Sequence, residues 1–303
     1  MNLEGLHHVT AITADAPRNV DFYGRVLGLR MVKKTVNFDA PDVYHLYFGD
    51  EIGTPGSILT FFEFPGAGLG RAGDGMIHTI QWRVRDDAAL DFWAQRIDGA
   101  VREDGLVRFD DPEGLTHELL VVDVPDAPLV APHPDIPDEH ALRGFHGVRA
   151  YASAPQDSAE LLETLGFTGA GAEWRAAGAQ RSGFLTYDTP PVARGVQGAG
   201  TVHHVAWSAA DDAELEAFRG LARQGGAHPT PIIDRQYFHS VYFREPSGVL
   251  FELASRDIGF DYDEPLEHLG ETLKLPPQYE RLRTQLEDRL TPLRSPRPTA
   301  GVE

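Results

Sequence analysis

Two His-His dipeptides, His7-His8 and His203-His204, and one glutamate, Glu252, are the residues of this sequence best suited to chemistry. Glu252 sits in the apolar run Val249-Leu250-Phe251-Glu252-Leu253. A carboxylate inside such a strand is costly if unpaired, so it must be hydrogen-bonded, paired with a cation or bound to a metal. Two neutral imidazoles and a carboxylate make the ligand set of a non-heme Fe(II) facial triad, which leaves positions open for a substrate and dioxygen. A lone strand histidine is more often a hydrogen-bonded core residue. The same dipeptide at two matching places, together with a buried glutamate, tips the balance toward a metal. With no cysteine in the chain, disulfides, thiolate ligands and a cysteine nucleophile are excluded, and any metal is held by His, Asp or Glu.

The elements that must position these residues come from a repeat. Gly5-Leu-His-His-Val-Thr-Ala, Gly75-Met-Ile-His-Thr-Ile-Gln-Trp, Gly144-Phe-His-Gly-Val-Arg-Ala and Thr201-Val-His-His-Val-Ala-Trp each read as a short strand opening a unit. A capped amphipathic helix follows each opening, at roughly Ala16 to Leu27, Asp87 to Ile97, Asp157 to Leu165 and Asp211 to Gln224. Strands then follow, in the first unit Met31 to Val36, Val43 to Phe48 and Ile58 to Phe64. Glu252 ends the fourth unit, where Val241-Tyr242-Phe243 leads into a turn over Glu245-Pro246-Ser247-Gly248. Asp111-Pro112-Glu113-Gly114 is the same turn in the second unit.

These units predict an α+β protein of four βαβββ modules forming two domains, each a strongly curved, partly open mixed sheet around a cavity. Modules one and two are expected in an N-terminal domain, residues 1–123, and modules three and four in a C-terminal domain, residues 143–255. The proline-rich segment 124–142 is expected as the linker between them, too rich in proline for regular structure. Residues 256–303 read as an extension, with an irregular acidic stretch from Asp261 to Pro277, a helix near Gln278 to Leu290 and a disordered tail from Ser295.

The repeat also serves as an internal control. The first histidine register holds His7, His78, His146 and His203; the second holds His8, Thr79, Gly147 and His204. Four residues after the turn glycine stand Glu118 in unit two and Glu252 in unit four. One complete triad remains: His8, His204 and Glu252. Adjacent strand residues point to opposite faces, so His7 and His203 either brace the ligand strands through hydrogen bonds or reach the cavity as acid-base groups. Glu118 reads as structural, paired with Arg83 or Arg85, and neither His117 nor His239 is given a role.

A formal charge of −19 and a pI near 5.0 argue against a nucleic-acid partner. No apolar run approaches membrane-span length, and Met-Asn-Leu-Glu-Gly lacks a signal pattern, so no membrane partner and a cytoplasmic location are expected. A homo-oligomer is a reasonable expectation for such a protein.

The stretch from Val241 to Glu252 resembles the end of the extradiol signature in the vicinal oxygen chelate superfamily, which includes glyoxalase I and the extradiol ring-cleaving dioxygenases. The resemblance runs through Pro277. Where the acid-base histidine of catechol-cleaving members would fall stands Arg235, in Asp234-Arg235-Gln236-Tyr237. With His8 as a ligand from the first unit, this looks like the hydroquinone 1,2-dioxygenases. Gly5 to Thr13, Gly259-Phe260-Asp261 and Leu275-Pro276-Pro277 strengthen that likeness. The resemblance implies Fe(II), with Mn(II) an acceptable substitute, on His8, His204 and Glu252. Thr10, His203, Arg235 and Tyr242 become substrate-pocket groups, and the reactants a hydroquinone-like aromatic and O2. Arg235 would balance an anionic substrate, and Tyr242 or His203 would supply a proton.

Two alternatives share the fold. A glyoxalase-type lyase or isomerase needs a second carboxylate, for which unit one offers Glu63, but at seven residues after Gly56 it has the wrong parity. A non-enzymatic binding protein of the bleomycin-resistance type needs no metal.

Overall fold

The computed structural model describes residues 1–294, so the tail from Ser295 lies outside the described residues. The four modules form as the repeat predicts. Module one comprises β1 (Leu6–Thr13), α1 (Ala16–Val20), β2 (Arg30–Asn37), β3 (Ala40–Gly49) and β4 (Ile58–Glu63). Module two comprises β5 (Ile77–Val84), α2 (Asp87–Arg96), β6 (Val101–Glu103), β7 (Leu106–Asp110) and β8 (Thr116–Val121). Module three comprises β9 (Phe145–Tyr151), α3 (Ala159–Thr164), β10 (Thr168–Ala170), β11 (Glu173–Ala177) and β12 (Ser182–Asp188). Module four comprises β13 (Val202–Ala209), α4 (Asp212–Gln224), β14 (Ile233–Asp234), β15 (His239–Arg244) and β16 (Leu250–Ser255). A last helix, α5 (Arg283–Arg289), falls in the extension. Aspartates cap the helices as expected: Asp15, Asp86 and Asp211 accept from the backbone N–H three residues on in α1, α2 and α4. The first predicted helix is shorter, turning π-helical at Asp21–Val26. None of the helices among the described residues is long and apolar enough to cross a membrane.

The strands make two curled eight-stranded mixed sheets, in the orders β14-β15-β16-β13-β1-β4-β3-β2 and β10-β11-β12-β9-β5-β8-β7-β6. Module one therefore shares its sheet with module four, and module two with module three. This corrects the expected partnership within residues 1–123 and 143–255. The opening strand of each module has a free edge that must be paired, and antiparallel β1/β13 and β5/β9 contacts satisfy all four edges across the expected boundary. The segment 124–142 has no regular element, as expected, but it is not a free spacer. It buries Ala131, Ile136, Ala141 and Leu142, and Asp126 forms a buried ion pair with Arg83.

The extension is likewise packed down, against the β2/β3 edge of module one. Lys33 on β2 is wholly enclosed and bonds Asp263 at 2.6 Å and Glu264 at 2.8 Å. Arg30 donates to the carbonyls of Leu266 and Glu267, Tyr44 to that of Thr291, and Tyr279 donates in turn to that of Phe38.

One local feature departs from simple strand alternation. In the β1/β13 ladder the register shifts between Leu6 and His8 and again opposite Val202 and His204, so His7 and His203 are extra residues in their strands. The β5/β9 ladder shifts in the same way at His78 and His146. Every residue of the first histidine register thus sits at a β-bulge, which re-aims its side chain.

Candidate metal centre

The bulges bring His7 and His8 side by side rather than on opposite faces. Their Nδ1 atoms lie 2.9 Å apart, and those of His203 and His204 lie 2.8 Å apart. His7 Nε2 faces the Ser255 carbonyl at 3.0 Å, so it must be the donor. Burial and the neighbouring His8 lower the His7 pKa to about 3, so at neutral pH its Nδ1 carries no proton and accepts from His8 Nδ1–H. The proton of His8 is then on Nδ1, and its Nε2 presents a lone pair inward. Module four repeats the Nδ1–Nδ1 contact between His203 and His204, with His203 exposed.

His8 Nε2 and His204 Nε2 lie 3.3 Å apart, and Glu252 Oε2 is 3.2 Å from the first and 2.9 Å from the second. All three side chains are buried, and they form a group able to hold a metal. Ser240 donates to Glu252 Oε1, whereas Oε2 has no hydrogen-bond donor among the described residues. Burial opposes the negative charge on Glu252, but the two imidazoles outweigh it and hold the carboxyl well below the usual carboxylate range. Two imidazole nitrogens and an anionic oxygen converging on one buried point fit a divalent cation of the transition series.

His8 and His204 stand in the wall of a cavity of about 470 Å³, with Glu252 buried against them. Phe62, Phe64, Phe238, Ile233 and Leu250 give it apolar walls, and Thr10, His45, His203, Arg235 and Tyr242 supply polar groups. Phe238 packs on both His7 and His8, with ring centres 5.1 and 4.9 Å away. Arg235 Nε donates to Tyr242 Oη at 3.3 Å, its guanidinium lies over the Tyr242 ring, and Nη1 meets Asp39 at 3.2 Å. The turn carrying Arg235 is held by Gln236 in the left-handed region, φ 68°, whose amide and the Tyr237 hydroxyl both donate to Asp263. Burial and Glu252 push the Tyr242 phenol up, so it is protonated at neutral pH.

Six of the seven residues singled out in the sequence therefore line one cavity, and the seventh, Glu252, is buried against His8 and His204 in its wall. His45 and Phe238 were missed. His45 has the plainer signal, because it alternates with Tyr47 on one strand and so shares a face with it.

One pairing differs from expectation. Glu118 pairs with Arg108, at 2.8 Å, and accepts from Gln81, not Arg83 or Arg85, because Arg108 lies directly opposite it in the β7/β8 hairpin. Glu63 accepts from the backbone N–H of Ala16 at the start of α1 and does not line the cavity. The position in module one equivalent to Glu252 is Thr60, which pairs with Thr10 as Glu252 pairs with Ala206. No second carboxylate reaches the triad from that strand, which removes the sequence basis for a glyoxalase-type site. His117 is a core residue, accepting from Trp82 Nε1–H at 3.1 Å and meeting Tyr23 Oη at 3.0 Å.

A family model described as Glyoxalase/Bleomycin resistance protein/Dioxygenase superfamily matches residues 5–119 and again residues 75–253. A relative from Bacillus subtilis (strain 168), named Putative ring-cleaving dioxygenase MhqO, is 41% identical over 302 residues, covering 95% of this chain and 96% of the relative. Chlorohydroquinone/hydroquinone 1,2-dioxygenase of Sphingobium indicum is 33% identical over 309 residues, covering 94% of this chain and 95% of the relative. The crystal structure of a putative dioxygenase from Bacillus subtilis has a TM-score of 0.88 at 39% identity, covering 97% of this chain and 98% of that one. Glyoxalase I from Zea mays shares the fold, with a TM-score of 0.58 at 16% identity over 88% of this chain and 97% of its own.

Proposed function

This chain belongs to the glyoxalase/bleomycin resistance protein/dioxygenase superfamily, and within it we propose an Fe(II)-dependent ring-cleaving dioxygenase that acts on a hydroquinone-like para-diol. The observation that carries the reading is the convergence of His8 Nε2, His204 Nε2 and Glu252 Oε2 beside an aromatic-walled cavity that also holds Arg235. These three residues would hold the metal, and Mn(II) suits the same donors. When bound, Fe(II) would supply a Lewis-acidic, redox-active centre for the reaction of the diol with dioxygen.

The remaining work falls to the protein's own side chains. Phe62, Phe64 and Phe238 offer flat apolar surfaces to an aromatic ring and exclude water from around it. Arg235 is charged at every working pH and cannot serve as an acid-base group, so its part is to balance negative charge on the bound diol through charge-assisted hydrogen bonds. Its Nε–H already occupies the Tyr242 oxygen, leaving the Tyr242 proton to be given within the cavity. His203, at the mouth, and Thr10, beside the triad, complete the polar set. Overall, the diol and O2 combine into a ring-opened acid-aldehyde that keeps both oxygen atoms, with no external reductant needed. A para-diol is favoured over a catechol because Arg235 stands where the catechol branch has its acid-base histidine, as the resemblance to the hydroquinone 1,2-dioxygenases implies.

The test is oxygen uptake by Fe(II)-reconstituted protein given hydroquinone, methylhydroquinone or catechol. Uptake with a para-diol, abolished in His8→Ala and Glu252→Ala while the circular dichroism spectrum is retained, is expected. Uptake with catechol alone, or with none of the three, overturns the reading.

A further inference from the structure

We propose that Arg244 makes an anion subsite at the outer end of the cavity, so that the para-diol this site takes best carries a short side chain ending in a carboxylate. The strand registers lay out the route. Tyr242 pairs with Glu252 and Arg244 with Leu250, in a ladder without a register shift. Residues two apart share a face, so Leu250 and Arg244 stand about 7 Å further along their strands than Glu252 and Tyr242. On the β4 side the wall runs the same way, from Thr60 out to Phe62 and Phe64. A second pocket, of about 210 Å³, adjoins the cavity at this end. It shares His203 and Leu250 with the cavity and is lined further by Arg244, Gln197, Met76 and Ile77.

The cavity has room for such a side chain. Its volume falls in the range that encloses a drug-sized ligand, and a bare hydroquinone is one small ring. Phe62, Phe64 and Leu250 suit a hydrocarbon stem, and Arg244 suits an anionic end. Arg244 Nη1 donates to the Gly248 carbonyl at 2.7 Å, and the guanidinium has no carboxylate partner among the described residues. Glu245, next to it in sequence, is buried and turned away, accepting from the hydroxyls of Tyr187 and Ser158. Asp39, the carboxylate that lines the cavity, is paired with Arg235. With 46 Asp and Glu against 27 Lys and Arg, the protein as a whole repels an anion. An acid is admitted only where a local cation outweighs that field, and at this end the cation is Arg244.

That the ligand reacts with dioxygen rests on the function proposed above; that its acidic side chain meets Arg244 is a matter of binding. The primary test is therefore calorimetric titration of the Fe(II)-loaded full-length protein without oxygen. The ligands are methylhydroquinone and the para-diol with an acetate side chain, which differ by the carboxylate alone. The wild type is expected to bind the acid about tenfold more tightly, the scale of one charge-assisted hydrogen bond. Arg244→Met is expected to lose that preference and to bind methylhydroquinone as the wild type does, whereas Arg244→Lys, which keeps the charge, retains part of it. A wild type that binds the acid no more tightly than methylhydroquinone, or an Arg244→Met variant that weakens both ligands equally, overturns the proposal. Oxygen uptake with the same pair is the second readout. The kcat/KM preference for the acid should disappear in Arg244→Met, and a preference that persists there removes the subsite. A wild type that consumes no oxygen with either para-diol defeats the function proposed above, and the calorimetry still decides the subsite.

Discussion

His7 donates its Nε2 proton to the Ser255 carbonyl at 3.0 Å, and this single bond between the bulge of β1 and the end of β16 fixes the tautomer of His8 beside it. The carbonyl cannot donate, so the direction of both contacts is determined. His7 is therefore a support for the inner imidazole, matched by His203 in module four.

The first prediction concerns that support. Replacing His7 by Phe keeps a ring in the space but removes the acceptor for His8 Nδ1–H. Metal affinity should fall roughly 10- to 100-fold, the usual cost of removing a partner that orients a ligand. Competition with a chelator of known affinity measures it, and an unchanged affinity would show that His7 merely fills space.

Arg235 should be irreplaceable by lysine. A lysine keeps the charge but loses the planar fork that reaches Tyr242 and Asp39 together. Arg235→Lys is expected to lower kcat/KM for a para-diol about tenfold, and Arg235→Met about a hundredfold, from the loss of charge-assisted hydrogen bonds. Iron content should stay constant in both. Equal activity of wild type and Arg235→Met would remove Arg235 from the account.

Lys33 ties the extension to module one. It is wholly enclosed, with Asp263 and Glu264 as its anionic partners. Lys33→Met leaves both carboxylates near an apolar side chain, and breaking a buried pair in this way costs roughly 3–5 kcal/mol. Asp263 also holds Gln236 and Tyr237, the residues next to Arg235, so activity should fall with stability. Urea unfolding checks the first effect; a loss below about 1 kcal/mol, the scale of an exposed pair, would contradict it.

Acid should destabilise the fold through buried histidines. Burial lowers the His117 pKa from 6.5 to about 3, so the unfolded chain binds a proton that the folded one refuses. Its contribution is fully present above 6.5 and is lost as pH falls toward about 3. The slope is about 1.4 kcal/mol per pH unit for one proton. His117→Gln, unfolded in urea at pH values between those limits with chelator present, should show a slope smaller by about that amount. A variant with the wild-type slope would place the titration elsewhere.

Much of this was legible in the sequence because the unit is repeated. Four copies of one opening strand identify the modules, and the fact that only His8 and His204 fill the second register, with Glu252 after the fourth turn, isolates the triad. What the copies cannot tell is which opening strand pairs with which, since each presents a similar edge; only packing brings β1 to β13. Strand parity put His7 and His8 on opposite faces, and the bulges overrode it. Glu118 was given the wrong arginine because its true partner is set by hairpin register, readable from the Asp111–Gly114 turn by counting back to Arg108. The positions of Phe238 and Lys33 depend on sheet curvature and on the extension folding back, which no local pattern encodes.

The proposed reaction inserts both atoms of dioxygen into an aromatic ring. The direct measurement is mass spectrometry of the product formed by Fe(II)-loaded protein from methylhydroquinone under isotopically heavy dioxygen, analysed before the aldehyde exchanges with water. A ring-opened acid-aldehyde carrying both labelled atoms is the predicted result. An unlabelled quinone, the product of simple two-electron oxidation, or recovery of intact methylhydroquinone would contradict it.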